Sequence, residues 1–163
     1  MIVLGIDPGY AIVGWGVLSY EGGRFKTLDY GAAVTKANTD FSMRLLDIYN
    51  CICEIFVRHK PDAAAIEQLF FTTNQKTAIN VAQARGVILL AAKQHGVPMF
   101  EYTPLQVKQS VVGYGKAVKS QVMDMTRMLL NLSSLPKPDD TADALAIAIC
   151  HAHSSNSLLR SYF

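Results

Sequence analysis

The segment MIVLGIDPG, residues 1–9, joins an apolar run to a tight-turn sequence and places one carboxylate, Asp7, between them. A run without polar alternation is typical of a strand that is covered on both faces, which predicts a buried sheet between two layers. A charged group at the end of such a strand lies beside a low-dielectric core and needs a partner. Taken alone, Asp7 is also explained as the first residue of a type II turn, because Asp-Pro-Gly fits that turn.

Two later segments also place acids at the boundary of an apolar run. Glu67 ends AAAIE, residues 63–67, and Asp140 and Asp143 accompany the stretch TADALAIAIC. Asp139 or Asp140 is explained as a helix N-cap, because Asp is a preferred cap and the preceding SLPKP is loop-like. A cap does not explain Asp143, one turn further along the same helical face. We therefore expect a buried like-charge pair that binds a cation.

These acids offer only oxygen ligands, which select hard divalent ions such as Mg²⁺ or Mn²⁺ over zinc. Two such ions roughly 4 Å apart are the usual device for hydrolysing a phosphodiester, because one activates water and the other stabilises the leaving oxygen. Asp7, Glu67, Asp140 and Asp143 therefore predict a metal-dependent nuclease that binds two Mg²⁺ ions per site, with Mn²⁺ as a substitute.

The charge distribution predicts a polyanionic substrate. The formal net charge is +2, but removing the four acids from the 13 leaves nine against 15 basic residues. Between Phe71 and Pro138 only Glu101 and Asp124 are acidic. The basic residues of that segment are Lys76, Arg85, Lys93, Lys108, Lys116, Lys119, Arg127 and Lys137. A solvated face accounts for several of them, whereas a single-sign excess near a metal site favours nucleic acid.

Length and composition predict one domain over residues 1–153, with residues 154–163 as a C-terminal tail. The chain has 163 residues, and half of them are apolar, which is ample for one core. No stretch resembles a membrane span, and the N-terminal apolar run is too short for a signal peptide. Three cysteines without disulfide-like spacing fit a reducing compartment, so we expect a cytoplasmic protein.

Hydrophobic periodicity and turn residues predict an α/β fold. Strands are expected at 2–7, 12–20, 24–34, 63–67 and 97–102. Helices are expected from Phe41 to just before Lys60, and at 77–95, 104–112, 117–130 and 140–153. The short Pro-Gly and Gly-Gly turns suit antiparallel pairing of the first three strands. The expected fold is a five-stranded mixed sheet, with three antiparallel strands and then parallel ones, flanked by helices.

This order of elements, with acids on the first strand, the fourth strand and the last helix, is similar to the ribonuclease H-like nucleases. The chain further resembles the RuvC family, the bacterial Holliday junction resolvases. The motifs that carry this resemblance are VLGIDPG (3–9), IEQLFF (66–71) with Asn74, QARG (83–86), PLQVK (104–108), GYGKAVKSQV (113–122) and DDTADALAIA (139–148). They run to about His151 in the order and spacing of the family.

The resemblance implies roles for individual residues. It assigns metal binding to Asp7, Glu67, Asp140 and Asp143, which leaves Asp139 as the helix cap. It also places Lys108 and Lys119 in the DNA-facing site, where Lys119 stabilises the charge that develops on the scissile phosphate.

Phe70 and Phe71 follow Glu67 in a polar stretch. Core packing is the commoner use of paired phenylalanines. An exposed ring that stacks on bases is worth roughly 1–3 kcal/mol per base, and the resemblance gives that role to Phe70 with Phe71 as support.

Further DNA contacts are predicted at Lys76, Arg85 and Lys116. Gly86 interrupts a predicted helix at a cost of about 1 kcal/mol relative to Ala. Close helix packing explains it better than an approach of Arg85 and the neighbouring backbone to DNA.

The resemblance implies an enzyme of DNA recombination and repair that makes two symmetric nicks in a four-way junction, leaving 5′-phosphate and 3′-hydroxyl ends. A C2 homodimer supplies two sites, with part of the apolar surface of helix 77–95 as its interface. RuvA and RuvB are the implied partners.

Other functions are open at this point. Actin-like ATPases also carry Asp-x-Gly after a first strand, but they need two such domains. A related nuclease acting on structured RNA would have a similar metal site, and intact acids disfavour an inactive binding module. Zinc binding is disfavoured for the group Cys51, Cys53, Cys150, His151 and His153, because all five fall in predicted helices where Cys-x-Cys points its thiolates to different faces.

Overall fold

The computed structural model describes residues 1–69 and 75–156. Five strands form one sheet in the order β3-β2-β1-β4-β5. The strands are β1 (Ile2–Asp7), β2 (Ile12–Glu21), β3 (Arg24–Val34), β4 (Ala63–Glu67) and β5 (Met99–Tyr102). The helices are α1 (Phe41–His59), α2 (Gln75–Gln94), α3 (Pro104–Val112), α4 (Lys119–Leu129) and α5 (Asp139–Asn156). The predicted mixed α/β sheet with flanking helices is confirmed.

Strand direction brings two of the predicted acids to one edge of the sheet. β1 and β2 pair antiparallel, as do β2 and β3, whereas β4 runs parallel to β1 and β5 runs parallel to β4. Ile6 of β1 is the register partner of Ile66 of β4. The carboxyl ends of the two strands therefore meet, and Asp7 and Glu67 follow these paired residues directly.

The sheet lies between two apolar layers, so β1 is covered on both faces, as its sequence predicts. Leu4 and Ile6 pack in the layer that contains α1 and α2. Val3 packs on the opposite face with α3, α4 and α5, where Leu145 of α5 is fully buried. Burying a Leu or Ile side chain contributes about 1.5–3 kcal/mol, so both layers hold the sheet edge in place.

Helix α5 lies directly on the backbone of the central strands. A Cβ atom built on Gly5 would lie 2.0 Å from the carbonyl oxygen of Ala144, and one on Gly14 would lie 2.0 Å from that of Asp140. No side chain fits at either position without moving the helix. The hydroxyl of Thr141 also donates a hydrogen bond to the carbonyl of Gly31 at 3.0 Å, which ties the start of α5 to β3.

Several boundaries differ from prediction by a few residues. Strand β5 begins at Met99 rather than at residue 97, although the Pro98 carbonyl still accepts a hydrogen bond from Ala64 at 2.9 Å. Helix α4 begins at Lys119, because Val118 is extended and its N–H bonds to the side chain of Gln121 at 3.0 Å.

Two interpretations of single residues were wrong. Asp139 is the first residue of α5 rather than its cap, and its carboxylate accepts a hydrogen bond from Nζ of Lys137 at 2.6 Å. A Cβ on Gly86 would meet no described residue within 4 Å, so close packing against the described part of the chain does not explain this glycine. None of the helices in the described ranges has both the length and the apolar character needed to cross a membrane.

Candidate active site

The four predicted acids lie on three elements that meet at the carboxyl edge of β1 and β4. Asp7 ends β1, Glu67 ends β4, and Asp140 and Asp143 lie in the first turns of α5. Gly14 is the register partner of Asp7, and the backbone of Asp140 lies on Gly14. The chain therefore brings acids from its beginning, middle and late part to one place.

Burial and mutual repulsion make Asp7 hard to ionise. Burial, followed by the charges of Asp143, Glu67 and Asp140, raises the pKa of Asp7 from 3.8 to about 7, and only Lys119 opposes this rise. Like charges in a poorly solvated site disfavour the ionised form. A cation shared by these carboxylates would remove the repulsion.

The carboxyl group of Glu67 is also hard to ionise. Burial is the main cause that raises the pKa of Glu67, the charge of Asp143 adds to it, and Lys119 and Lys108 oppose it. Both lysines therefore partly offset the repulsion that Glu67 experiences.

Lys119 is the cation that contacts this set directly. Its Nζ donates a hydrogen bond to Oδ2 of Asp143 at 2.8 Å, and this bond is the main cause that raises the pKa of Lys119. The lysine side chain is 61% exposed and the aspartate side chain is 30% exposed, so this edge of the site is open to solvent. The expected burial of the Asp140 and Asp143 pair is therefore only partial.

The carboxylate oxygens of the four acids are the ligands that a hard divalent ion prefers, but the conformation described does not hold them close enough together to bind one. In residues 1–69 and 75–156, no three His, Cys, Asp or Glu side chains are grouped closely enough to hold a metal ion. Asp143 instead contacts the ammonium of Lys119. The fit rests on carboxylate oxygens, which Mg²⁺ and Mn²⁺ prefer, and on the raised pKa values of Asp7 and Glu67, which a cation would lower again.

The predicted DNA-binding residues differ in exposure and in the groups that lie near them. Lys108 on α3 is half-buried near Glu67, whereas Lys116 and Lys119 are exposed in and after the loop between α3 and α4. Arg85 is ion-paired with Glu101 and only 16% exposed. Phe70 lies outside the described residues, as does the side chain of Lys76.

Two features were missed by the sequence reasoning. The contact of Gly14 with Asp140 sets the height of α5 above the sheet. A signal for it exists, because Gly14 and Gly16 alternate within a predicted strand, and glycine in a strand often marks a close backbone approach. The pairing of Arg85 with Glu101 has no short-range signal, since the two residues lie on separate elements.

A mixed five-stranded sheet with acids at the ends of β1 and β4 and at the start of α5 defines the ribonuclease H-like class of nucleases. The family model described as crossover junction endodeoxyribonuclease RuvC matches residues 3–151. The chain belongs to the RuvC family.

Individual relatives agree with this assignment. The chain is 58% identical over 156 residues to the crossover junction endodeoxyribonuclease RuvC of Alkaliphilus oremlandii, covering 96% of this chain and 95% of that protein. The structure of RuvC from Thermus thermophilus matches with a TM-score of 0.89 at 38% identity, covering 95% of both chains. The complex of that RuvC with its Holliday junction substrate matches with a TM-score of 0.91 at 38% identity, covering 95% of this chain and 94% of that chain.

Proposed function

We propose that this chain resolves four-way DNA junctions by two symmetric, metal-dependent phosphodiester hydrolyses that leave 5′-phosphate and 3′-hydroxyl ends. Its family membership makes it a crossover junction endodeoxyribonuclease of DNA recombination and repair. The observation that carries the proposal is the match over 95% of the chain to a relative bound to a Holliday junction, together with four acids at one sheet edge.

We assign metal binding to Asp7, Glu67, Asp140 and Asp143. RuvC nucleases are metal-dependent in general, and we propose two Mg²⁺ ions per site with Mn²⁺ as a substitute. Such ions supply an activated water and charge stabilisation at the leaving oxygen. The chain itself contributes the rigid spacing of the acids, because β1, β4 and α5 are all fixed by buried contacts.

We assign Lys119 to the stabilisation of charge on the scissile phosphate. Its ammonium lies 2.8 Å from Asp143 and is exposed, so it lies at the acids and remains reachable by a DNA backbone. A donor fixed where charge develops lowers the barrier more than one that must be recruited from solution.

DNA contacts beyond the catalytic edge are assigned to Phe70, Lys76, Lys108 and Lys116. The support is the charge excess of the segment between Phe71 and Pro138, together with the exposure of Lys116 and the nearness of Lys108 to Glu67. Phe70 is proposed to stack on bases where the strands exchange.

We propose a C2 homodimer that uses the outer face of α2. Ile79 and Leu90 on this helix are 63% and 53% exposed, and Gly86 lies between them with open space around its Cα. A twofold axis through this face would present two acid sets to two strands of like polarity. The proposed partners are RuvA and RuvB, and a chromosomal substrate implies the bacterial cytoplasm. We further propose that residues 1–153 form the nuclease domain and that residues 154–163 are a tail.

The test is cleavage of a synthetic mobile four-way junction in Mg²⁺ or in EDTA, with linear duplex and an Asp7→Asn variant as controls. We expect paired, symmetric nicks that need both the metal and Asp7. Junction DNA that is bound but uncut in both Mg²⁺ and Mn²⁺ would contradict the proposal in favour of a binding module. A junction that is neither bound nor cut would contradict it too, and structured RNA would then be the substrate to test.

A further inference from the structure

Arg85 carries a charge in a place with too few acceptors for it. Its side chain is only 16% exposed, and the guanidinium remains charged at any physiological pH. In the described part of the chain, the acid beside it is Glu101, whose Oε1 lies 2.5 Å from Nη2. Neither Nη2 nor Nε has a hydrogen-bond partner of acceptable geometry among the described residues, although both are buried. A buried donor without an acceptor costs about 1–3 kcal/mol, so the described protein leaves this group unsatisfied.

The unsatisfied atoms have the geometry of an anion receptor. Nε and Nη2 form one edge of the planar guanidinium, and this edge can donate two parallel hydrogen bonds to the oxygens of a phosphate or carboxylate. Glu101 is 47% exposed, so the acid that pairs with this edge is itself in contact with solvent.

The space beside Arg85 adjoins the catalytic edge. Gln68, Leu69, Ala82, Arg85 and Glu101 line a cavity of about 290 Å³. Gln68 directly follows Glu67, and its N–H continues the β4–β5 pairing through a hydrogen bond of 2.8 Å to the carbonyl of Tyr102. A group bound in this cavity would therefore lie one residue beyond the strand end that carries Glu67.

We propose that Arg85 is a second phosphate-binding site of the DNA surface, and that Glu101 is an internal counter-ion that a backbone phosphate displaces. This inference rests on the proposed function, because it takes a DNA phosphodiester as the ligand. Before DNA binds, Glu101 offsets the charge of the buried guanidinium. When a phosphate arrives, it supplies the acceptors that Nε and Nη2 lack, and Glu101 turns into solvent. Arg85 then contributes to DNA affinity only after this exchange, so Glu101 weakens binding.

Glu101→Gln tests the exchange, because the amide keeps the shape of the side chain and removes its charge. We expect junction affinity, measured by fluorescence anisotropy in EDTA at about 0.1 M salt, to rise about three- to tenfold. We also expect the slope of log K against log salt to steepen by up to about 0.9, because in the wild type the displaced Glu101 carboxylate takes up a cation and offsets the counterion release of one phosphate contact. If the Arg85–Glu101 ion pair only stabilised the fold, Glu101→Gln would leave this slope unchanged.

Asp124→Asn is the matched control. Asp124 is the other acid between Phe71 and Pro138, it is exposed, and its removal changes the net charge equally without touching Arg85. The gain from Glu101→Gln should exceed the gain from Asp124→Asn. The gain from Glu101→Gln should also disappear in an Arg85→Gln background. It should be smaller in an Arg85→Lys background, because lysine keeps the charge but cannot donate two parallel hydrogen bonds.

Two outcomes would overturn the inference, and they differ in what else they overturn. If wild-type protein binds the junction and Glu101→Gln binds no better than Asp124→Asn, or binds more weakly with a lowered melting temperature, the pair is structural and the proposed function is untouched. If wild-type protein binds no junction at all, the proposed function fails and this inference fails with it.

Discussion

Two demands on Asp7 oppose each other, because the buried, acid-rich environment in which we propose that it binds a metal ion disfavours the ionised form of its carboxyl group. Burial and three neighbouring acids raise its pKa to about 7, so the protein without metal carries repulsion at its catalytic edge. Sites that are tuned for function commonly cost stability in this way. This loss of folding stability can be measured, because it depends on pH.

The first prediction concerns the stability of the Asp7→Asn variant. The folded pKa of Asp7 lies above its unfolded value of 3.8, so the folded state binds more protons between these two values. Stability without metal therefore falls as pH rises from about 4 to about 7. In EDTA at pH 8, Asp7→Asn should be more stable than wild type by about 2–4 kcal/mol, whereas at pH 5 this difference should shrink to less than half. Urea unfolding at both pH values measures this difference.

The control for this measurement is Asp124→Asn, which removes an exposed carboxylate that is not among the charges acting on Asp7. It should leave stability within about 0.5 kcal/mol of wild type at both pH values. A gain for Asp7→Asn that is equal at pH 5 and pH 8 would show that its cause is not ionisation.

The second prediction concerns Lys119. Lys119→Met should lower kcat for junction cleavage by about 10²–10³ and change junction affinity less than tenfold, because the ammonium acts on charge that develops in the reaction. Single-turnover cleavage with a separate binding titration distinguishes the two effects.

Lys137→Met is the matched control for Lys119. It removes a second exposed lysine that is bonded to an acid of α5, Asp139, at 2.6 Å. It should leave kcat within about threefold of wild type. An equal loss of kcat in both variants would contradict a specific role of Lys119 in the reaction.

At the scale of elements, apolar runs and periodicity predicted the strands and helices, because most of them bury an apolar face; β5, with no fully buried residue, is the exception. β1 and β4 were predicted from apolar runs, and both lie in the centre of the sheet. Boundaries moved where one residue decides them, as at Val118 before α4. The height of α5 above the sheet could not be predicted, because it depends on glycines of β1 and β2 meeting a helix more than 120 residues later.

The candidate site also has features that the local sequence predicts and features that depend on the tertiary structure. Residue type and position suggested the four acids, since each lies at the boundary of an apolar run. Their mutual repulsion and the Lys119–Asp143 contact depend on tertiary distances that no local pattern contains. The interpretation of Gly86 was wrong for a related reason, because a helical glycine signals a missing side chain without showing what lies opposite it.

The third prediction is that Gly14→Ala displaces the start of α5. Its Cβ would lie 2.0 Å from the Asp140 carbonyl oxygen, and that backbone has to move. We expect a loss of about 1–3 kcal/mol in stability, together with weaker Mg²⁺ binding measured by calorimetry. Gly86→Ala makes the same change on α2, which carries none of the four acids and where no described residue lies within 4 Å of the new Cβ, and it should leave Mg²⁺ affinity unchanged. A Gly14→Ala protein with unchanged Mg²⁺ affinity would show that α5 tolerates the shift.

At the scale of the molecule, the two cuts per junction that we propose would require two chains, because each chain supplies one of the proposed acid sets. The fourth prediction is that Leu90→Glu gives a monomer in sedimentation experiments, because a charge on the outer face of α2 would be desolvated in the proposed dimer. The variant should nick junctions singly and lose the paired cleavage that linearises a cruciform plasmid.

Val34→Glu is the control for the dimer. Val34 is an apolar residue of β3 that is 69% exposed and lies away from α2. This variant should remain dimeric and cut in pairs. A Leu90→Glu protein that also remains dimeric would place the interface elsewhere.

The distribution of the acids along the chain has a consequence for biosynthesis. A ribosome delivers Asp7 and Glu67 early, but Asp140 and Asp143 come only with α5, which then has to settle on Gly5 and Gly14. The proposed set is therefore complete only after nearly the whole core has been translated and folded. On the proposed assignment, interrupted or truncated chains would lack part of the acid set, and such fragments would not be able to nick the chromosome.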